Sequence, residues 1–511
     1  MKKTVIALLL LALVFSVLAC AKRKPVSPLA GVSGSDISSD GTMSADGTTA
    51  PDVTTVPDGT TDGVTTTEIT PPDTSEDKLP TVEFNGKSYR VLVLKGGWNE
   101  FFADELKPAG ERGLSIWNRN CVVEDAYDVK LEDVVVDDLG TLYAMTNHII
   151  SSVLLDEDSF DVALNFASST DRLMEHGAII NLLELEHNDF SRPYWANGLN
   201  EKLILEDALY AAVGDMAITT YTYAMATYMN CTLGETYGVT DRVLELIKNG
   251  DWTVDALTEI ATGVYDDVDD VEGRSLNDIY GYAFRINAGA LIDWRLSTEL
   301  QPFVPDDKDT LIAALDSDAM VKLADKLLYL YGHENVFRYE PISSPVIEDG
   351  RALFWGGMVK EIYNNKKSTA GCMAIPMPKL DENQSKYLTP LTESFNAIVV
   401  PVTCSDRRLV SIITEVLCYE TREQVIPALY KDLIPHEHRD DPIRKELLDI
   451  IFDGRNADFL QVYFPGNCYA RRLFNNSAIS GQTYTDTYEM YREHIDLDLK
   501  AVVDAFKANA G

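Results

Sequence analysis

The sequence changes character at about residue 79, and that break constrains the fold more than any single motif. No aromatic side chain occurs between residues 21 and 83; the stretch is Ser, Thr, Gly, Asp and Pro with scattered Val. So few large apolar groups cannot offset the backbone entropy of folding, so 21–79 reads as a solvated, extended tether. About 430 residues follow, more than one hydrophobic core usually organises, and two lobes are expected.

The chain opens Met1-Lys2-Lys3, continues as an apolar run from Val5 to Phe15, and reaches Ser16-Val17-Leu18-Ala19-Cys20. A basic start, a short apolar stretch and small residues at its end make a secretory signal. The run is shorter than the roughly 20 residues of a membrane-spanning helix. Val17-Leu18-Ala19-Cys20 resembles the bacterial lipobox, which implies that residues 1–20 are a leader and that Cys20 carries acyl chains such as palmitate. Several chains together anchor stably, at about 0.8 kcal/mol per buried methylene. The expected location is the outer face of the cell membrane. The long tether suits a Gram-positive-type surface better than a periplasm.

The formal net charge of -37 argues against nucleic acid or an acidic surface as partner, since both need a basic face. The remaining cysteines, 121, 231, 372, 404, 418 and 468, are far apart with no C-x-x-C. Neither a zinc site nor a redox motif is indicated, and free thiols are expected.

Residues 89–94, 130–136 and 160–166 are apolar runs of strand length, separated by helical stretches at 113–127 and 139–154. That alternation is the pattern of a parallel sheet covered on both faces, so the folded part is α/β. Further strands are expected at 208–213, 224–229, 352–355, 371–375 and 397–401. Helices are expected at 254–264, with Thr253 as N-cap, at 311–330, 407–430 and 441–452, and near the C-terminus at 485–508. There is no internal repeat. Binding chemistry in such a fold lies beyond the carboxyl ends of the parallel strands. There the sequence offers Trp98 and Asn99 after the first strand, and Asn165 and Phe166 at the end of the third. An aromatic face beside an amide suits a neutral polyol ligand.

Several segments resemble one family in order and spacing. They are Tyr228-Met229-Asn230 followed by Gly238; Gly250-Asp251-Trp252-Thr253 before a helix; Gly350-Arg351-Ala352-Leu353-Phe354-Trp355-Gly356; Ala374-Ile375-Pro376-Met377-Pro378-Lys379 with Tyr387; and 394–401. Together they are similar to the extracellular solute-binding proteins of ABC importers, in the maltodextrin-binding-like group, from about residue 91 to 463. The resemblance implies a type II periplasmic-binding-protein fold: two lobes, each a sheet flanked by helices, joined by hinge segments. The expected lobes are 80–218 plus 376–428 and 219–375 plus 429–511, with crossings near Ile218, Pro376 and Tyr430. It implies a small polar solute, most readily a mono- or oligosaccharide, held by lobe closure and passed to ABC permease subunits by a monomer that needs no cofactor.

In that frame Asp215 and Met216 precede the first crossing, Trp355 stands on a strand facing the cleft, and Glu393 precedes a strand returning to the first lobe. Each has a structural reading beside the ligand one: a buried lobe residue for the aromatics, a hinge or capping carboxylate for Asp215, an exposed loop for Glu393. Trp294 reads as core. His436-Glu437-His438 lacks further ligands for zinc, and the acidic loop 266–273 misses the EF-hand spacing, so no metal is expected. Two other readings stay open. A lipid-anchored glycoside hydrolase would use two carboxylates about a bond, although no G-x-S-x-G, H-E-x-x-H or P-loop is present. A surface-binding lipoprotein without a transport role would lack a cleft.

Overall fold

The computed structural model describes residues 79–509 apart from 96–100, 102–109, 138–142, 197, 270, 286–293, 308–309, 340–343, 365–368, 370, 435–437 and 439. Along it run the strands β1 (Lys87–Leu94), β2 (Val129–Val136), β3 (Val162–Phe166), β4 (Met225–Asn230), β5 (Tyr265–Asp266), β6 (Ile279–Arg285), β7 (Phe303–Pro305), β8 (Leu311–Ala313), β9 (Val336–Tyr339), β10 (Ala352–Met358), β11 (Cys372–Ile375), β12 (Thr389–Pro390), β13 (Asn396–Val399) and β14 (Arg455–Asn456). They form two principal sheets. The first has the order β13-β3-β1-β2, and the second β11-β4-β10-β6-β5 with β9 also on β6.

In the first sheet β1 is parallel to both β2 and β3, and β13 closes the edge antiparallel to β3. Residues 91–94 are all buried, as expected of a central parallel strand covered on both faces. Helix Arg407–Glu420 covers one face, capped by Asp406, with Thr414 Oγ1 2.7 Å from Tyr89 Oη. Arg90 fixes β1 to the chain leading into β3, its Nη2 lying 2.7 Å from Asp161 Oδ1.

The second sheet is mixed: β4 is antiparallel to β10 and β11, and β10 is parallel to β6. The Gly250-Asp251-Trp252-Thr253 motif has a local explanation here. Gly250 ends helix Thr240–Asn249 at φ 78°, and Trp252 buries its ring beside Phe354 while donating from Nε1 to the Pro376 carbonyl. Thr253 Oγ1 then caps helix Val254–Thr262 through Ala256 N. That helix lies directly on β6, where a Cβ at Gly281 would come within 1.7 Å of the Ala261 carbonyl oxygen.

Two expected elements differ. The helix expected at 311–330 begins only at Asp318, behind an Ser317 N-cap, because Leu311–Ala313 pairs with β7 as a small ribbon. The strand expected at 208–213 makes only isolated bridges, including Ala212 with Ile398, although it is wholly buried. It passes the end of β13 rather than running along it. A further helix, Tyr469–Ser480, lay outside the expected set. The last helix, Tyr484–Asn509, reaches across the molecule. Tyr484 Oη donates to the Leu315 carbonyl beside β8, and at the other end Phe506 packs on Tyr210 and Asn509 donates to the Met174 carbonyl.

The chain passes between the sheets after β3 and again after β11. The passing strands hold each other, with Ala224 bridged to Leu391 and Thr392 N donating to the Tyr223 carbonyl. A third passage links helix Ile426–Leu433, packed on helix Gly110–Tyr127 beside the first sheet, to helix Pro442–Asp453, packed on β11. Asp215 sits where these passages meet. It is fully buried, Oδ1 accepting from Tyr221 Oη (2.8 Å) and Arg455 Nη2 (3.3 Å), and Oδ2 from Arg422 Nη1 (3.2 Å). Arg455 also stacks on the Tyr221 ring and donates to Thr220 Oγ1.

Two stability predictions follow from these contacts. Gly281→Ala forces two backbones apart and lowers the unfolding free energy by about 3 kcal/mol in denaturant titration. Asp215→Ala strands two arginines, one of them buried, and costs about 3–5 kcal/mol by the same measurement.

Candidate functional site

The site can be built from the ends of the strands. The carboxyl ends of β1 and β3 in the first sheet, and of β6, β9 and β10 in the second, are where an open α/β sheet exposes loops to a ligand. Helix Gly110–Tyr127 follows β1 and helix Glu361–Asn364 follows β10. The two meet: the Arg112 guanidinium lies 4.7 Å above the Tyr363 ring. Helix Ile426–Leu433 packs on both, with Asp432 3.8 Å from Arg112 and Lys431 3.5 Å from Glu111. The walls of the two sheets therefore face each other at these strand ends.

On the second wall β10 ends in Gly356-Gly357-Met358. Gly357 has no room for a side chain, since a Cβ would meet Glu361 Oε2 at 2.9 Å and Tyr228 at 3.0 Å. The chain then turns beside the first passage: Val359 N donates to the Ala224 carbonyl and Lys360 N to the Thr222 carbonyl, both at 2.9 Å. Lys360 Nζ sits 3.4 Å above the Tyr223 ring. Glu361 Oε1 accepts from Met358 N at 3.2 Å. Burial pushes the Glu361 carboxyl above its ordinary range, opposed by that backbone bond and by Lys360. Tyr339, at the end of β9, is itself pushed up to about 12, by burial first and then by Glu361.

On the first wall the end of β3 is a knot of side-chain bonds. Asn165 Oδ1 accepts from Thr146 Oγ1 (3.0 Å), and its Nδ2 donates to the Phe166 carbonyl (3.0 Å) and Ser169 Oγ (3.3 Å). Both Asn165 and Phe166 are buried. Helix Thr170–Glu175 starts just beyond, and its Asp171 has a carboxyl raised to about 6, by burial first. The field of Arg471 on helix Tyr469–Ser480 opposes that rise. The Arg471 guanidinium is buried, donates from Nε to the Leu460 carbonyl, and lies 3.7 Å from Glu393 Oε2.

The residues expected from sequence fall in different places. Trp98, Asn99 and Cys20 lie outside the described residues, as do 436, 437 and 439. Asn165 anchors the end of β3, while Asp215 and Met216 are fully buried at the passages; with both oxygens of Asp215 bonded there, it presents no surface to a ligand. Trp355 is 1% exposed, stacked 5.3 Å from Tyr228, so the sheet covers its ring in this conformation. Glu393 is half exposed beside Arg471. Trp294 is buried. The six described cysteines are free.

Sequence reasoning missed Arg112, Lys360, Glu361, Tyr363, Asp171 and Arg471. The rule of strand carboxyl ends would have found Lys360 and Glu361 had it been applied past Trp355 to the following turn. In the acidic loop, Asp267, Asp269 and Asp278 bring carboxylate oxygens within 4.8 Å of one another. Ser275 and Asn277 bond to Asp269, and Ser275 and Tyr265 to Asp278. Among the described residues no helix is long and apolar enough to cross a membrane.

The Asp171 shift carries a sign that can be tested. A carboxyl whose pKa is raised on folding favours the protonated form, so its contribution is best below about pH 4 and is lost as pH rises towards 6. Asp171→Asn should therefore raise stability at pH 7.5 and leave it nearly unchanged at pH 4, as read from denaturation midpoints.

No family model matches the sequence, and no curated protein matches it. Solved structures do. The galacto-N-biose/lacto-N-biose I-binding protein of an ABC transporter from Bifidobacterium longum, in complex with lacto-N-biose, aligns with TM-score 0.54 at 12% identity, over 84% of this chain and 98% of that one. A cyclo/maltodextrin-binding protein complexed with maltotetraose aligns with TM-score 0.52 at 13% identity, over 83% and 97%. An ABC transporter solute-binding protein from Thermotoga lettingae, bound with alpha-D-tagatose, gives 0.50 at 12% identity, over 81% and 100%. All three are binding proteins rather than enzymes. At these identities the likeness is one of fold: this chain has the two-lobed, periplasmic-binding-protein-like α/β architecture, two helix-flanked sheets joined by passing segments.

Proposed function

We propose that this chain is a lipid-anchored extracellular solute-binding protein that captures a carbohydrate by closure of two lobes and delivers it to an ABC importer. The observation that carries the reading is the meeting of strand carboxyl ends from two sheets, with Arg112 of one wall over Tyr363 of the other. A ligand held there touches both walls only when they close, so its binding energy shifts the open–closed equilibrium. The fold likeness to proteins solved with lacto-N-biose, maltotetraose and tagatose supports a sugar as the solute. The tyrosines and carboxylates of the second wall supply what a polyol needs, an aromatic surface and hydroxyl acceptors.

The reading assigns 80–218 plus 376–428 to one lobe and 219–375 plus 429–511 to the other. Helix Phe459–Tyr463 and the end of the last helix pack back on elements of the first. Residues 1–20 are the leader, Cys20 the lipid anchor, and 21–79 the tether that holds the lobes beyond the membrane.

Two measurements test this. A thermal-shift screen against maltotetraose, lacto-N-biose and tagatose should give a saturable rise for one of them, worth about 2.7 kcal/mol at a hundred times Kd. No rise with any of these sugars, or sugar breakdown in their presence, contradicts it. Metabolic labelling with palmitate should mark the wild type and not Cys20→Ser, which is released into the medium; retention of label by the variant sinks the anchor.

A further inference from the structure

We infer that Cys231 and Cys372 are a redox pair, two thiols in this structure that an external disulfide converts into a bridge stapling the edge of the second sheet. The backbone sets them side by side. β11 is antiparallel to β4 with Cys372 opposite Asn230, and Cys231 N donates to the Gly371 carbonyl at 3.0 Å. An offset of one residue, about 3.3 Å, on a strand spacing of about 4.8 Å puts the two Cα atoms about 6 Å apart, within the span of a disulfide.

Two cysteines so offset along an unbroken ladder would point to opposite faces. Here the ladder ends between them. Asn230 closes β4 and caps helix Cys231–Thr236 through Leu233 N, so Cys231 is a helical residue and leaves the alternation of the strand. The Arg444 guanidinium reaches both cysteines, with Nη2 3.9 Å from Cys231 Sγ and Nη1 donating to the Cys372 carbonyl at 2.8 Å. The Cys372 thiol is pushed up to about 12 by burial first; Cys231 acts in the same direction and Arg444 against it, so both lie within its electrostatic reach. Cys404 and Cys418 make no such pair, since they stand towards opposite ends of helix Arg407–Glu420, where residues 407 and 418 are about 16 Å apart.

The chemistry follows from exposure. Cys231 is half-buried and Cys372 buried, so Cys231 meets the oxidant. Its thiolate, disfavoured by burial and favoured by Arg444, attacks one sulfur of a low-molecular-weight disulfide, whose S–S bond breaks to release one small thiol. Cys372, its proton lost to solvent, then attacks the Cys231 sulfur and expels the second small thiol. Two protein thiols and one small disulfide become one protein disulfide and two small thiols. β4 ends and β11 begins at the pole of the second sheet opposite the carboxyl end of β10, so the bridge forms away from the cleft walls. It closes a loop that holds β5, β6, β9 and β10, and a loop of that length restricts the unfolded chain strongly.

The test equilibrates the intact chain with oxidised glutathione at about pH 8, where part of the thiol is ionised, or with a phosphine reductant, and then blocks remaining thiols in denaturant. Peptide mapping without reduction should find Cys231 joined to Cys372 in the oxidised sample and both alkylated in the reduced one. The oxidised chain should melt several degrees higher than the reduced chain, a difference lost in Cys231→Ser and kept in Cys404→Ser. Both thiols still open to alkylation after oxidation, glutathione retained on Cys231, or a linkage of either residue to another cysteine overturns the inference. So does a chain joined at Cys231 and Cys372 that melts no higher than the reduced one.

Discussion

One buried carboxylate holds the architecture together. Asp215 lies where the chain first leaves the first sheet, and it takes bonds from Tyr221 further along that passage, from Arg422 on the first-sheet side and from Arg455 just after helix Pro442–Asp453 on the second. A charge removed from water is tolerated only when its partners are in place, so the three passages must come together for any of them to be stable. That is a requirement on geometry more than a source of stability. It fixes where the two sheets are joined, and thereby which strand ends oppose each other. The turn of Val359 and Lys360 against Ala224 and Thr222 carries the same constraint out to the cleft wall.

The last helix adds a second tie at a distance. Tyr484 bonds beside β8, while Phe506 and Asn509 dock against Tyr210 and Met174 near the first sheet. A rigid rod of 26 residues seated at both ends limits relative motion to what its two seats permit. The two sheets are therefore tied at Asp215 and again along the last helix, and the closure proposed above would be a small rotation about those ties rather than free swinging.

Much of the fold was legible in the sequence because local chemistry and global role agree there. The runs at 89–94 and 160–166 hold the buried part of β1 and all of β3, and Gly250-Asp251-Trp252-Thr253 encodes a helix end, a core ring and a helix start in four residues. Legibility failed where tertiary context decides. Leu311–Ala313 has helix-compatible letters but finds a strand partner in β7, and 208–213 has strand letters but no neighbour along its length. The site was less legible still. Among 81 acidic residues nothing local distinguishes Glu361 from a solvated carboxylate, and only the turn after Gly357 places it against Tyr228 and Tyr339. Asp215 and Trp355 drew attention by their places, before the first crossing and on a strand expected to face the cleft; the first is bonded where the passages meet and the second is covered by its own sheet.

The central claim is that one ligand engages both walls together. Hydrogen exchange, read peptide by peptide on the intact chain with and without saturating sugar, tests it most directly. The account predicts simultaneous slowing of exchange at 164–171 on the first wall and at 356–363 on the second. The passages at 214–224 should change and the sheet interiors should not. Protection confined to one wall, with the other unaltered at full occupancy, would contradict closure and leave a protein that binds its ligand on a single lobe.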